Sequence, residues 1–360
     1  MSKKLKKISF LVAVFVLLTG MLAGCGGGGA SSSAAPGSSA APAAPASSAA
    51  PAPASGKVVE MVIASTAAPD TAWTRAAEPW KEELEATGLF KVNLKFGGVM
   101  GSEREGAEAV QMGTIEGVWV SDVGLSAVVP EIAYTNLPFL FSTYEQVDKY
   151  YFNGFVGEDV KAKLEAKGFK FMGFCENDFR GLTNSKGPVT SPDDLKGMKI
   201  RVPEIPIYIE LFTKLGAQPT PMAVTELATA LQQKTVDGQD NGVLLTRGNG
   251  YYQLQTNMTL LNHIYNAGAI LFNPDFYNSL DQEHKDVLDE LCEKYAKIQI
   301  EMNRNDVSGF LDEIKAAGVE VTTLTAEQMA PFVEVGKSCW GEAEKTFGTE
   351  WIDRLKNEIQ

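Results

Sequence analysis

Between Val58 and Val120 the apolar residues change their spacing four times, and this switching limits the possible folds more than any single motif does. Val58 to Ala64 reads as a strand. From Asp70 to Thr87, Trp73, Ala77, Trp80 and Leu84 recur at helical intervals, and Gly88 follows the last turn. Val92, Leu94 and Phe96 then alternate with polar residues, so Lys91 to Phe96 is a second strand. The run Gly97-Gly98-Val99-Met100-Gly101 turns the chain into a helix that Ser102 and Glu105 start as a capping box and Gly113 stops. Ile115 to Val120 is the third strand. Strands joined by helices in this order pair in parallel through right-handed crossovers, so the chain is α/β.

The alternation continues. A helix is expected over roughly 143–167, with a break near Asn153-Gly154, then a strand from Phe169 to Cys175. Met198, Ile200 and Val202 mark a short strand that Pro203 ends, because proline has no N–H for the ladder. Arg201 therefore lies at the carboxyl end of that strand, where open α/β sheets bind their ligands. Helix faces follow at Tyr208–Leu215 and Val224–Leu231, then one or two strands over 260–272 and a long helix from Gln282 towards Leu311. Gly318 to Val321 reads as a last strand, and terminal helices fill 327–359. Some 300 residues from Lys57 onward exceed what one core holds. Two lobes are expected: 57–178 with about 266–306, and about 179–265 with 307–360, the long helix crossing both.

The first 56 residues belong to neither lobe. Lys3, Lys4, Lys6 and Lys7 precede an unbroken apolar run from Phe10 to Leu18, too short for a membrane span, so residues 1–24 read as a signal peptide. Leu22-Ala23-Gly24-Cys25 resembles the lipobox of bacterial lipoproteins, which makes Cys25 the expected site of lipid attachment. Residues 26–56 contain only Gly, Ala, Ser and Pro, a composition that cannot bury a core and predicts a disordered tether.

The whole chain carries 32 basic and 45 acidic residues, a net charge of −13. Four of the lysines lie in the leader, so the remainder is more acidic still, which argues against nucleic acid or anionic lipid as a partner. An anionic small molecule would need a local basic pocket. Beyond Cys25, the three cysteines are far apart and form no metal or disulfide pattern; Cys175 and Cys292 read as core. With two histidines, no HExxH, no GxSxG and no phosphate-binding loop, no nucleophile–base pair assembles, and no cofactor is implied. His284 is expected on the polar side of its helix.

Five segments occur in order: Arg180-x-Leu-Thr-Asn184, Leu195-Lys-Gly-Met-Lys-Ile-Arg201-Val-Pro203, Leu215-Gly-Ala-x-Pro-Thr-Pro-Met222, Ala230-Leu-Gln232 and Val236-Asp-Gly-Gln-Asp-Asn241. Together they resemble the solute receptors of TRAP transporters, the dicarboxylate-binding receptor family. The Gly-Ser-Glu-Arg-Glu run at 101–105 and Leu137-Pro-Phe-Leu-Phe141 are similar too, so the resemblance covers nearly all of 57–320. It implies a two-lobed receptor of periplasmic-binding-protein type that closes on a carboxylate-bearing solute and passes it to membrane permease subunits. It also implies that Arg201 pairs with the solute carboxylate and that Arg180 and Asn241 contact ligand. The chain departs from the family pattern at Val224 and Ala228, where aromatic residues are common, and at Lys234, Asp240 and Gly242. The smaller side chains point to a roomier pocket.

Chemistry supports these roles, since a guanidinium presents a fork of donors matched to a carboxylate and stays charged. Further candidate contacts are Glu103 in the first turn of its helix, Asp122 just past a strand end, and Trp73, Val224 and His263. Six of these have a plainer alternative. Arg201 would be a solvated charge on a strand's polar face, and Arg180 a surface ion pair with Asp178 or Glu176. Asn241 would be an N-cap, Glu103 a favourable helix-end charge, Trp73 core or rim, and His263 a hydrogen-bonded strand residue. The expected product is a lipid-anchored, monomeric, extracytoplasmic receptor for a small organic acid. Its rivals are a sensory receptor read by a membrane kinase or chemoreceptor, a sugar receptor, and an enzyme.

Overall fold

A computed structural model describes residues 57–360; the leader, Cys25 and the tether lie outside the described residues. The strands are β1 (Val59–Ala64), β2 (Phe90–Lys95), β3 (Gly117–Ser121), β4 (Lys170–Phe179), β5 (Leu182–Asn184), β6 (Lys199–Val202), β7 (Gln218–Pro221), β8 (Gly238–Asp240), β9 (Asn257–Leu260), β10 (Tyr265–Phe272) and β11 (Glu320–Thr323). They form two sheets, one in each lobe. The first has the order β2-β1-β3-β10-β4 and the second β11-β9-β5-β8-β6-β7. As the helix-linked order requires, β1 pairs in parallel with β2 and with β3. β10 enters antiparallel between β3 and β4, and all eight of its residues are buried.

Both faces of the first sheet are covered, which is why its central strands are largely apolar. On one face the helix Ala72–Ala86 and the helix Gln282–Ala316 pack over Trp119, Ile270 and Phe272, with Trp80 edge-on to Trp119 at 5.7 Å. Cys175 and Cys292 lie in this cluster. On the other face Val118, Val120 and Leu271 meet Tyr134, Phe141 and Tyr151. His284 is buried rather than solvent-facing, because Asp281, the N-cap of the long helix, holds its Nδ1 at 2.7 Å while its ring stands edge-on to Phe90.

The chain passes between the sheets three times: at 180–181, at 261–264, and along the 35-residue helix Gln282–Ala316. The first two passages are tied side by side, the Arg180 N–H donating to Ile264 O at 2.8 Å. Crowding here is close: a Cβ on Gly242 would stand 2.2 Å from Phe179 O. Asp178 (φ 107°) and Asn262 (φ 47°) hold left-handed backbone beside the passages, a strain that persists only where surrounding packing enforces it. The terminal helices touch both sides. Trp340 Nε1 donates to Pro138 O and Tyr134 packs on Trp351, while Lys214 Nζ reaches Ser338 O. They therefore bridge the lobes instead of extending the second alone.

The break expected near Asn153-Gly154 is present, with Gly154 as N-cap of Phe155–Ala166, but the turn before it is wound as a π-helix (Val147–Phe152). Lys234 adopts φ 55°, the conformation that glycine takes without strain.

Candidate functional site

The lobes enclose a cavity of about 490 Å3, in the range that holds small-molecule ligands. The first lobe contributes Trp73, Gly98, Glu103, Ser121 and Asn177, the second Arg201, Val224, Thr225, Asn241 and Tyr251, and the long helix Asn303 and Phe310. The lobes meet on either side of it. A Cβ at Gly98 would come within 2.9 Å of Thr225 Cγ2, and one at Gly248 within 2.7 Å of Thr71 Cγ2. Arg247 Nη1 lies 3.3 Å from Asp70.

Arg201 sits near the end of β6, between β7 and β8, and is only 3 % exposed. Its Nε and Nη2 both donate to Met222 O, at 3.1 and 2.8 Å, and no acidic side chain lies within ion-pair distance of it among the described residues. Burial, and then the like charge of Arg180, push its pKa down to about 10. It is not the solvated strand-face charge that alternation with Lys199 allowed. A desolvated guanidinium without an anion is costly unless an anion arrives.

Arg180 differs. Its Nε donates to Asp240 Oδ1 at 2.9 Å, its Nη2 to Asp240 O, and its Nη1 to Asn266 Oδ1 at 2.8 Å, and the guanidinium lies over the Tyr208 ring. Its ionic partner is thus Asp240, sixty residues away in sequence, and neither Asp178 nor Glu176. Glu176 instead pairs with Arg304 and accepts from Tyr265 Oη, and Asp178 accepts from Tyr144 Oη. Arg180 holds the Asp240 carboxyl below its ordinary range, against the opposing effect of burial.

The Asn241 amide donates to Gln239 Oε1 at 2.6 Å, and Gln239 Nε2 donates to Thr183 and Thr246 hydroxyls. The N-cap of the next helix is Gly242, so capping does not account for Asn241. Glu103 lies between the two residues of the capping box and accepts twice from Ser121, from its N–H at 3.0 Å and its hydroxyl at 2.8 Å. Burial raises its pKa, partly offset by those bonds and by the two arginines. Trp73 donates from Nε1 to Glu176 O, and Gly268, whose Cβ would stand 2.3 Å from the ring, gives it room.

Six of the eight candidates thus line one cavity: Arg201, Arg180, Asn241, Glu103, Trp73 and Val224. Asp122 and His263 do not. Asp122 is buried behind the wall, accepts from Thr135 Oγ1 at 3.1 Å, and is pushed up to about 7 by desolvation. His263 is 1 % exposed in the passage between β9 and β10, its Nε2 3.1 Å from Asp240 Oδ1, and so stands behind the Arg180 pair. Sequence reasoning missed Asn177, Asn303 and Thr225. Asn177 is the extra residue where β4 slips register against β10, and such a bulge re-aims a side chain without any sequence mark. Among the described residues no group of His, Cys, Asp and Glu is placed to hold a metal, and no helix is long and apolar enough to cross a membrane.

Residues 63–346 match the DctP family, bacterial extracellular solute-binding protein, family 7. The chain belongs to that family. A solute-binding protein of Verminephrobacter eiseniae is 32 % identical over 285 residues, covering 78 % of this chain and 84 % of its own. The 2,3-diketo-L-gulonate-binding periplasmic protein YiaO of Escherichia coli is 31 % identical over 250 residues, covering 69 % and 76 %. A crystal structure of a TRAP periplasmic solute-binding protein from Polaromonas, bound to D-erythronate, superposes with a TM-score of 0.78 at 30 % identity, covering 82 % of this chain and 98 % of the other. The two-lobed α/β fold is that of TRAP solute receptors, and the family consists of binding proteins, not enzymes.

Proposed function

We propose that this DctP-family receptor captures a small organic acid through a pair between Arg201 and the solute carboxylate, and delivers it to the permease subunits of a TRAP transporter. The carrying observation is the buried Arg201 guanidinium, without an acidic partner, facing a cavity between two lobes. Each charge-assisted hydrogen bond contributes about 1.5–3 kcal/mol, and micromolar affinity needs about 8, so Asn241, the apolar wall and water exclusion supply the remainder. The acids in the names of the Escherichia coli relative and the Polaromonas complex agree with this reading. Closure hinges at the passages near 180 and 263, the lobes dividing close to 179 and 266, with the solute favouring the closed state.

The chain works as a monomer outside the cytoplasm, held to the membrane by lipid on Cys25. A thermal-shift screen of the full chain against carboxylates tests capture; the reading fails if no acid raises the melting temperature. Mass spectrometry of the mature N-terminus tests the anchor. Diacylglycerol on Cys25 is expected, and Cys25→Ala should release the protein from membranes into the soluble fraction.

A further inference from the structure

Resting on that reading, we infer that the solute is a hydroxylated monocarboxylate and that Glu103 selects it against dicarboxylates. Charge inventory carries the inference. Two arginines face the interior of the cavity, but Arg180 is already matched by Asp240, which leaves Arg201 as the interior cation to neutralise. The interior group left without a strong partner cation is itself acidic: Glu103, held by Ser121 N–H and hydroxyl. At the mouth, Arg104 is exposed and paired with Glu108 at 2.8 Å, and Glu204 adds a second acidic group.

One carboxylate therefore finds Arg201, and a second finds Glu103 or Glu204 and no unmatched cation. A hydroxyl in the second position meets the opposite situation. A carboxylate accepts hydrogen bonds and cannot donate them, so Glu103 needs a donor from the solute, which a hydroxyl supplies and another carboxylate does not. Asn177 and Asn303 on the same cavity wall provide amide groups suited to further hydroxyls. The tethering of Glu103 matters here, because two bonds from Ser121 stop the side chain from swinging away from an incoming anion. Gly124 keeps it close, since a Cβ there would stand 2.4 Å from Glu103 Cβ.

Calorimetric titration of the full chain with erythronate, galactonate, succinate and succinamate tests the inference. Succinamate has the length of succinate with one carboxylate replaced by a neutral amide donor. Two like charges about 5 Å apart in a partly desolvated site correspond to about 100-fold in affinity. The hydroxy acids should thus bind about 100-fold tighter than succinate, and succinamate tighter than succinate. Glu103→Gln, checked for folding by its unliganded melting temperature, should narrow both gaps to about tenfold or less. Succinate binding as tightly as succinamate in the wild type would overturn the inference whether or not the variant folds. So would a folded Glu103→Gln protein with unchanged ratios. If no acid binds, or binding ignores loss of Arg201, the parent reading fails instead; if every acid depends on Arg201 and succinate binds best, the hydroxy-acid inference fails and the parent reading stands.

Discussion

Replacing each of two neighbouring arginines by methionine should move the stability of the unliganded protein in opposite directions. Arg201 carries its charge 3 % exposed, with a pKa pushed down to about 10, well under the ordinary guanidinium value. A base held below its unfolded value withholds stability at every pH below the folded pKa, here about 3 kcal/mol at neutral pH. Arg201→Met removes that cost and gives up two bonds to Met222 O, together about 1–3 kcal/mol. The unliganded variant should be as stable as the wild type, or more stable by up to about 2 kcal/mol. Arg180→Met instead strands Asp240, which is fully buried, at a cost of about 3–5 kcal/mol. At about 2 °C per kcal/mol for a domain of this size, its melting temperature should fall by about 6 °C or more. Calorimetric melting with and without erythronate separates the two. Arg201→Met should lose the ligand-induced rise, with affinity reduced at least about 100-fold. If Arg201→Met melted as low as Arg180→Met, or kept the ligand-induced rise, the account of Arg201 as a cation waiting for an anion would be refuted.

Other outcomes follow from the same geometry. Asp122 is pushed up to about 7, so between about pH 4 and pH 7 the folded protein holds a proton that the unfolded chain releases, and stability falls as pH climbs through that window. Asp122→Asn should therefore unfold at higher urea than wild type at pH 8, by about 2–4 kcal/mol, with the gap closing near pH 4. Gly248→Val sets a side chain against Thr71 across the cavity mouth and should weaken ligand binding about tenfold by opposing closure, while unliganded melting stays near wild type.

Much of the fold was legible because its strands and helices obey local rules. Ser102 and Glu105 form the capping box that their spacing announces, and Pro203 follows the last residue of β6. The depth of a residue was not legible. Lys199 and Arg201 share one side of a short strand flanked by β7 along its whole length, yet Lys199 is exposed and Arg201 buried, its guanidinium held by Met222 O just past the end of β7. Pairing was equally hidden. Asp178 and Glu176 stand two and four residues before Arg180, a spacing that shares one face in a regular strand, but the bulge at Asn177 and the left-handed backbone of Asp178 break that pattern, and the actual partner arrives from β8. Asp122 stands beyond a strand end as a ligand residue would, and only the packing of Thr135 against it shows that it turns inward. The departure at Lys234 falls on left-handed backbone and that at Gly242 where a Cβ would crowd Phe179 O, so both bear on the chain's path.

The threefold passage of the chain between its sheets has a bearing on how such receptors diversify. Each half is stitched together from separated stretches of polypeptide, so no single genetic crossover exchanges one half for a relative's and leaves the other unmixed. A recombinant joined within the stretch from β5 to β9 would inherit mismatched strands in both sheets. New solute preferences in this lineage must arise by scattered substitutions facing the enclosed space, one side chain at a time.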